Sequence, residues 1–181
     1  MEAVNQTVWF PVVTLITGAL LKAAFDYFNE TRQEARDRRV RLEKRQEVFL
    51  MQRIEAQRAL FPLLQESLVE LMRATNLLHI EDLRSYRATG KWGGSLVGDE
   101  ISDRSLAAFR KVGLYRVRIQ DDELRDDIAK LSSLCSKTST ARSAVEAEMI
   151  MMNAGVFFSE VNERLGAVFR TLDAQEQAFL R

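Results

Sequence analysis

The hydrophobic and polar positions predict one strongly apolar segment near the start of the chain, followed by a series of amphipathic helices. No charged residue occurs between Glu2 and Lys22, and residues 8–21 form the most apolar part. A hydrocarbon core about 30 Å thick requires roughly 20 helical residues. The apolar run reaches this length if Lys22 snorkels and residues 23–28 continue the helix into the interface. The pattern therefore predicts a membrane anchor over residues 1–29.

Individual anchor residues have expected roles. Trp9 and Tyr27 are expected at the two membrane faces, where amphipathic aromatic rings are enriched. Pro11 falls in the first helical turn, where its missing N–H removes no hydrogen bond. The residues assigned to the anchor are Trp9, Pro11, Gly18, Leu21, Lys22 and Tyr27. The alternative is an amphipathic helix of a soluble bundle, with Lys22 and Asp26 on its solvated face.

A charged segment over residues 30–49 follows the anchor and predicts a solvated helix. Between residues 32 and 45, seven basic residues accompany three acidic ones. The basic residues are Arg32, Arg36, Arg38, Arg39, Arg41, Lys44 and Arg45. By the positive-inside rule, they predict a single-pass protein with the N-terminus outside and the C-terminal domain in the cytoplasm. Alternatively, they bind anionic lipid headgroups directly.

From Leu50 onward, spacings that alternate between four and three predict a helix with one buried seam. The seam positions are Leu50, Ile54, Gln57, Phe61, Leu64, Leu68, Leu71, Thr75 and Leu78. We expect a kink at Pro62, because the seam keeps its register across the proline. The helix should end near Ala88, before a glycine-rich loop over residues 88–101. Trp92 in this loop is either a possible partner anchor or a cover over the end of the bundle.

Three further helices are expected after the loop. The first starts near Ser102 or Asp103, with a buried side formed by Leu106, Phe109, Val112 and Leu114. A helix end or extended link over residues 115–119 precedes a second helix, capped by Asp121 or Asp122. Its buried side comprises Leu124, Ile128, Leu131 and Cys135. Residues 132–143 include seven Ser or Thr residues and predict a turn.

The last predicted helix is the most regular. Its seam comprises Ala144, Ala147, Met151, Ala154, Phe158, Val161, Leu165, Val168 and Leu172. Residues 149–152 widen the apolar face, so we expect this helix at the centre of the bundle. The seams around residues 50–68 and 158–168 are expected to pack against each other.

Composition excludes several function classes. The formal net charge is zero, so no overall field indicates nucleic-acid binding. His79 is the only histidine and Cys135 the only cysteine, so the chain has no Cys/His cluster for a metal. The Gly90-Lys91 pair does not fit a phosphate-binding loop, because Ser85 and Trp92 occupy positions of its pattern. We predict no enzyme activity, no cofactor, no metal and no small-molecule ligand.

Three stretches resemble a diffuse group of bacterial, mostly actinobacterial, single-pass membrane-anchored proteins. They are LITGALLKAAFDYFNETRQEARDRRVRLEKRQEVF, YRVRIQDDELRDDIAKL and NAGVFFSEVNERLG. The resemblance implies an all-helical fold and placement at a bacterial membrane. It carries over no functional residue, because no catalytic residue defines the group.

The predicted architecture is all-α, with a transmembrane helix that continues into an elongated antiparallel helical bundle over residues 50–181. We expect a membrane-anchored scaffold that contacts lipid and either binds an unknown protein partner or forms a homo-oligomer. The uncovered apolar stripe of the bundle would provide the contact. The alternatives are a sensor or membrane-perturbing effector of bacterial stress or phage defence, and a soluble helical binding module.

Overall fold

The computed structural model describes the backbone of residues 6–93 and 98–179, and the side chains of residues 13–93 and 98–179. Four helices lie within these residues: α1 (Gln6–Thr89), α2 (Asp99–Arg116), α3 (Asp122–Ser139) and α4 (Ala144–Phe179). The helices pack antiparallel, which confirms the all-α helical bundle. The chain divides into two compact units, Met1–Leu50 and Met51–Arg181.

The predicted transmembrane helix is not supported by the described part of the chain. No helix within the described residues is both long enough and apolar enough to cross a membrane. The side chains of residues 8–12, where the predicted span begins, lie outside the described residues.

The core of the second unit is built on one face of α1. Buried α1 positions follow the predicted alternation of four and three: Ile54, Gln57, Phe61, Leu64, Leu68, Leu71 and Thr75. The last seam position differs from the prediction: Leu78 was expected to be buried, but it is only half-buried, and the neighbouring His79 is buried instead. The helix continues through Pro62, which is exposed, so the missing backbone N–H lies toward solvent.

The other helices cover this face. The core residues that they and the α2–α3 link contribute include Ala108, Val112, Ile119, Leu124, Ile128, Leu131, Cys135, Ala154, Val161 and Leu165. Gln57 joins the α2–α3 link to α1 through two hydrogen bonds. Its Nε2 donates to the Arg118 carbonyl at 2.9 Å, and its Oε1 accepts from the Gln120 N–H at 3.2 Å.

α2 buries only part of the predicted face. It begins at Asp99, and its buried residues are Ser105, Ala108 and Val112. The predicted core residues Leu106 and Leu114 are 70% and 56% exposed, so that part of the prediction is wrong. Val112 is buried as predicted, and Phe109 packs half-buried against the core.

α3 begins as predicted and ends later. Asp121 is the N-cap, and its carboxylate accepts a hydrogen bond from the Leu124 N–H at 2.7 Å. The turn predicted over residues 132–143 is wrong for its first part, because α3 extends to Ser139. Hydroxyls in this part donate to carbonyls one turn earlier, as Ser132 does to Ile128 at 2.9 Å. Such bonds satisfy the hydroxyls while the helix continues.

α4 is only partly buried. Its fully buried residues are Ala147, Ala154, Val161 and Leu165, whereas Met151, Phe158 and Val168 are half-buried. Large apolar residues on another side of α4 stay exposed, so the prediction of a central α4 is wrong. The C-terminal part is fastened to α1, where Arg58 pairs with Asp173 and Glu176.

Candidate interaction surfaces

The described start of α1 carries large apolar side chains that are exposed. Leu15, Leu20 and Phe25 are 75%, 66% and 71% exposed. We call residues 13–28 the apolar segment. Its first nine residues are uncharged, so the apolar surface surrounds the helix instead of forming one stripe. A helix that is apolar on all sides is normally buried in a protein core or a membrane.

The polar atoms of the apolar segment are partly satisfied within the helix. The Thr17 hydroxyl donates to the Val13 carbonyl at 2.7 Å, which removes its need for a water partner. The predicted anchor residues Gly18, Leu21, Lys22 and Tyr27 all lie in this segment and are exposed. A Cβ atom added at Gly18 would meet no heavy atom within 4 Å, so this side of the helix is open to a close neighbour. The side chains of Trp9 and Pro11 lie outside the described residues.

The basic residues that follow are accessible. Arg32, Arg36, Arg38, Arg39, Arg41, Lys44 and Arg45 are all exposed. Arg38 lies 3.9 Å from Glu34 one turn earlier, and the Arg41 Nε donates to the Asp37 carbonyl at 3.2 Å. Exposed pairs at this spacing contribute only about 0.3–0.5 kcal/mol. The basic side chains can therefore exchange these contacts for an anionic surface at little cost.

The predicted seams of the two long helices lie inside the bundle. Ile54, Phe61, Leu64, Leu68, Leu71, Val161 and Leu165 are buried, while Leu50, Met151, Phe158 and Val168 are half-buried. The Phe61 and Phe169 ring centroids are 6.0 Å apart, which shows the contact between the helices. Residues buried in this way are occupied by the fold, so a docking surface must lie elsewhere.

An exposed stripe on α4 meets this requirement. Val145, Met149, Met152 and Val156 are 68%, 53%, 66% and 60% exposed and are spaced by four, three and four. We call these four residues the methionine stripe. All charged residues between 144 and 163 are acidic, namely Glu146, Glu148, Glu160 and Glu163. The sequence pattern assigned residues 149–152 to a widened core face of this helix, whereas the structure leaves Met149 and Met152 exposed.

Trp92 packs over one end of the bundle. Its Nε1 donates to the Ala141 carbonyl at 2.8 Å, and its ring centroid lies 6.0 Å from that of Tyr86 and 6.3 Å from that of His79. The indole thus joins the α3–α4 turn to the end of α1. These contacts match the expected cover over the bundle, and they occupy the N–H that a partner anchor would offer.

A groove of about 340 Å³ lies between α1 and α2. Charges of both signs line it, with Glu66 and Glu70 on α1 and Arg104 and Lys111 on α2. The hydrogen bond from Arg104 holds the pKa of the Glu70 carboxyl below its ordinary value. This arrangement fastens α2 to α1, since the opposite charges neutralise each other across the groove.

Two titratable groups are perturbed by burial. Burial raises the pKa of the Cys135 thiol, whose Sγ lies 3.7 Å from the Met72 sulfur, so the reactive thiolate is disfavoured. Burial also raises the pKa of Asp82, while the nearby His79 acts in the opposite direction.

Among the described residues, no group of three or more His, Cys, Asp or Glu side chains is placed to hold a metal ion.

The resemblance to bacterial membrane-anchored proteins remains a prediction. No protein-family model, no curated protein and no solved structure matches this chain.

Proposed function

We propose that this chain is a membrane-attached helical interaction protein. The observation that supports the proposal most strongly is the apolar segment, whose side chains are exposed around the whole helix. Removing apolar surface from water stabilises a protein by about 25 cal/mol per Å². A single helix that is apolar on all sides gains this energy by inserting into a bilayer. Within the proposed anchor over residues 1–29, the stretch 8–28 would have the length for a single pass when its interfacial residues are included.

The charges after the apolar segment support the same placement. Seven exposed basic residues follow within residues 32–45. Each basic residue near an anionic lipid surface contributes about 1 kcal/mol to attachment. We therefore propose the inner face of a bacterial cytoplasmic membrane as the location, with the bundle in the cytoplasm and the N-terminus outside.

The bundle would bind its protein partner through the methionine stripe. Flexible, polarisable methionine side chains adapt to different apolar partners. Four apolar residues spaced by four, three and four form the kind of surface that packs along an amphipathic helix. The acidic residues around the stripe favour a basic partner and would speed its approach. The proposed partner is accordingly a basic amphipathic helix.

The membrane proposal is tested by replacing one apolar residue near the middle of the anchor. Ile16→Asp places a carboxylate there, which costs about 3 kcal/mol on insertion scales and should lower insertion about 100-fold. Leu106→Asp is the matched control, because Leu106 is also exposed but lies on α2. After alkaline washing and ultracentrifugation, the wild type and the control should pellet with membranes, whereas Ile16→Asp should be released. Recovery of the wild-type chain in the supernatant would overturn the proposal and favour a soluble helical module.

A further inference from the structure

Five apolar residues of α1 lie seven positions apart between residues 21 and 49. These residues are Leu21, Phe28, Ala35, Leu42 and Phe49, and we call them the heptad line. Their side chains are exposed, with Leu21, Phe28, Leu42 and Phe49 between 58% and 69% accessible. The line belongs entirely to the first unit and continues through the charged residues 30–49. Without a neighbour these large apolar side chains stay in water, whereas a neighbour along the line would bury them together.

The strict seven-residue period indicates the kind of neighbour that covers the line. In a straight helix, positions seven apart drift by about 20° per repeat, so four repeats would spread over roughly 80°. A left-handed supercoil removes this drift and keeps all the positions on one seam. The neighbour is therefore a helix that runs alongside α1 for these four repeats.

We propose that the neighbour is a second copy of the same segment, paired in parallel and in register as a two-stranded coiled coil. The direction rests on the proposed function, since two copies inserted in one membrane with the same topology run parallel. In this arrangement the heptad line occupies the d positions of the coiled coil. The a positions are Phe25, Arg32, Arg39 and Gln46.

The charges beside the line fit a parallel pair. At the flanking g and e positions, Arg38 of one copy lies next to Glu43 of the second copy, an attractive contact. The other flanking pairs combine Ala24 with Asn29, Thr31 with Arg36 and Arg45 with Leu50, so like charges face each other only at the a positions, where Arg32 and Arg39 each meet the same residue of the second copy. Arg32 and Arg39 cover apolar surface with their stems and extend their guanidinium groups to solvent. Polar core residues of this kind select the in-register alignment at some cost in stability.

Disulfide trapping tests the pairing directly. Leu42→Cys places a thiol on the line, and Lys44→Cys places one two positions away on the outer face of the same turn. Each full-length variant in detergent micelles is oxidised with copper phenanthroline, which takes the two electrons released as the disulfide forms. Cys135 is buried and is present in both variants as a constant background. We expect at least tenfold more covalent dimer for Leu42→Cys than for Lys44→Cys. Equal yields would overturn the proposal.

A second measurement separates this proposal from the membrane proposal. Leu42→Asp combined with Phe49→Asp should shift the sedimentation of the full-length chain in neutral detergent from dimer to monomer, while membrane pelleting stays unchanged. A monomeric wild type that still pellets would refute the coiled coil alone. A dimeric wild type that fails to pellet would refute the membrane proposal and leave the self-pairing in place.

Discussion

Gln57 provides the sharpest test of how the second unit is held together. It is 5% exposed and lies on the buried face of α1. Its amide bonds both the Arg118 carbonyl and the Gln120 N–H of the α2–α3 link. One side chain thus fixes the loop that brings Ile119 into the core, where it is 1% exposed. Gln57→Leu retains a similar volume and removes both hydrogen bonds.

The expected loss follows from these two bonds. Each intramolecular hydrogen bond contributes about 1 kcal/mol net, so the pair contributes about 2 kcal/mol. The buried leucine recovers part of this through its apolar surface. The net decrease in the free energy of unfolding should be about 1–2 kcal/mol, which corresponds to a midpoint roughly 4–8 °C lower for a unit of this size.

Circular dichroism melting of the full-length chain in detergent measures this decrease. Gln52→Leu is the matched control, because Gln52 is exposed on the same helix and its replacement should change stability by less than about 0.5 kcal/mol. Hydrogen exchange adds a local measurement, since the Gln120 amide should exchange faster in Gln57→Leu than in the control. If both variants melt at the same temperature and protect the Gln120 amide equally, the assigned role of Gln57 is wrong.

Two further predictions concern the groove and the methionine stripe. The hydrogen bond from Arg104 lowers the folded-state pKa of Glu70, so its contribution to stability is present above the unfolded pKa of about 4.3 and is lost as pH falls through the folded pKa. The urea midpoint should therefore fall less between pH 7 and pH 3 in Glu70→Gln than in the wild type. An identical fall in both proteins would contradict the stabilising role of the Glu70 carboxylate. For the stripe, a labelled amphipathic peptide of Leu and Lys should bind the full-length chain, as measured by fluorescence anisotropy. The double variant Met149→Gln, Met152→Gln should bind this peptide at least tenfold more weakly, whereas Leu106→Gln should bind it as tightly as the wild type. If a peptide of Leu and Glu binds the wild type equally well, the charge argument is wrong.

The sequence predicted the elements whose signals are local. The seam from Ile54 to Thr75 is buried as its period predicts, because side chains three and four apart share one face of a helix wherever that helix packs. The Asp121 cap was equally predictable, since its carboxylate bonds a backbone N–H only three residues away. The basic run is likewise readable from the sequence, as a property of one helix.

The surfaces of the bundle depended on neighbours. Ala108 is buried and Leu106 is exposed because the neighbouring helices cover the face of α2 that carries Ala108, and no period within α2 reports which face they cover. The Ser and Thr residues before Ser139 form helix instead of a turn, because the core contacts of Cys135 and Leu131 hold that segment in place.

The sequence by itself determined that this protein is helical, where α1 ends, where α3 and α4 begin, and which stretch is the most apolar. These properties arise from short-range periods, caps and charge along one chain. Only the tertiary structure decided which of the two apolar stripes of α4 is used by the fold and which remains available. The stripe through Ala147, Ala154 and Val161 is covered by other helices, while Val145, Met149 and Met152 are left to solvent. Both stripes have helical spacing, so the period alone does not choose between them, and the choice depends on which face of α4 meets the other helices.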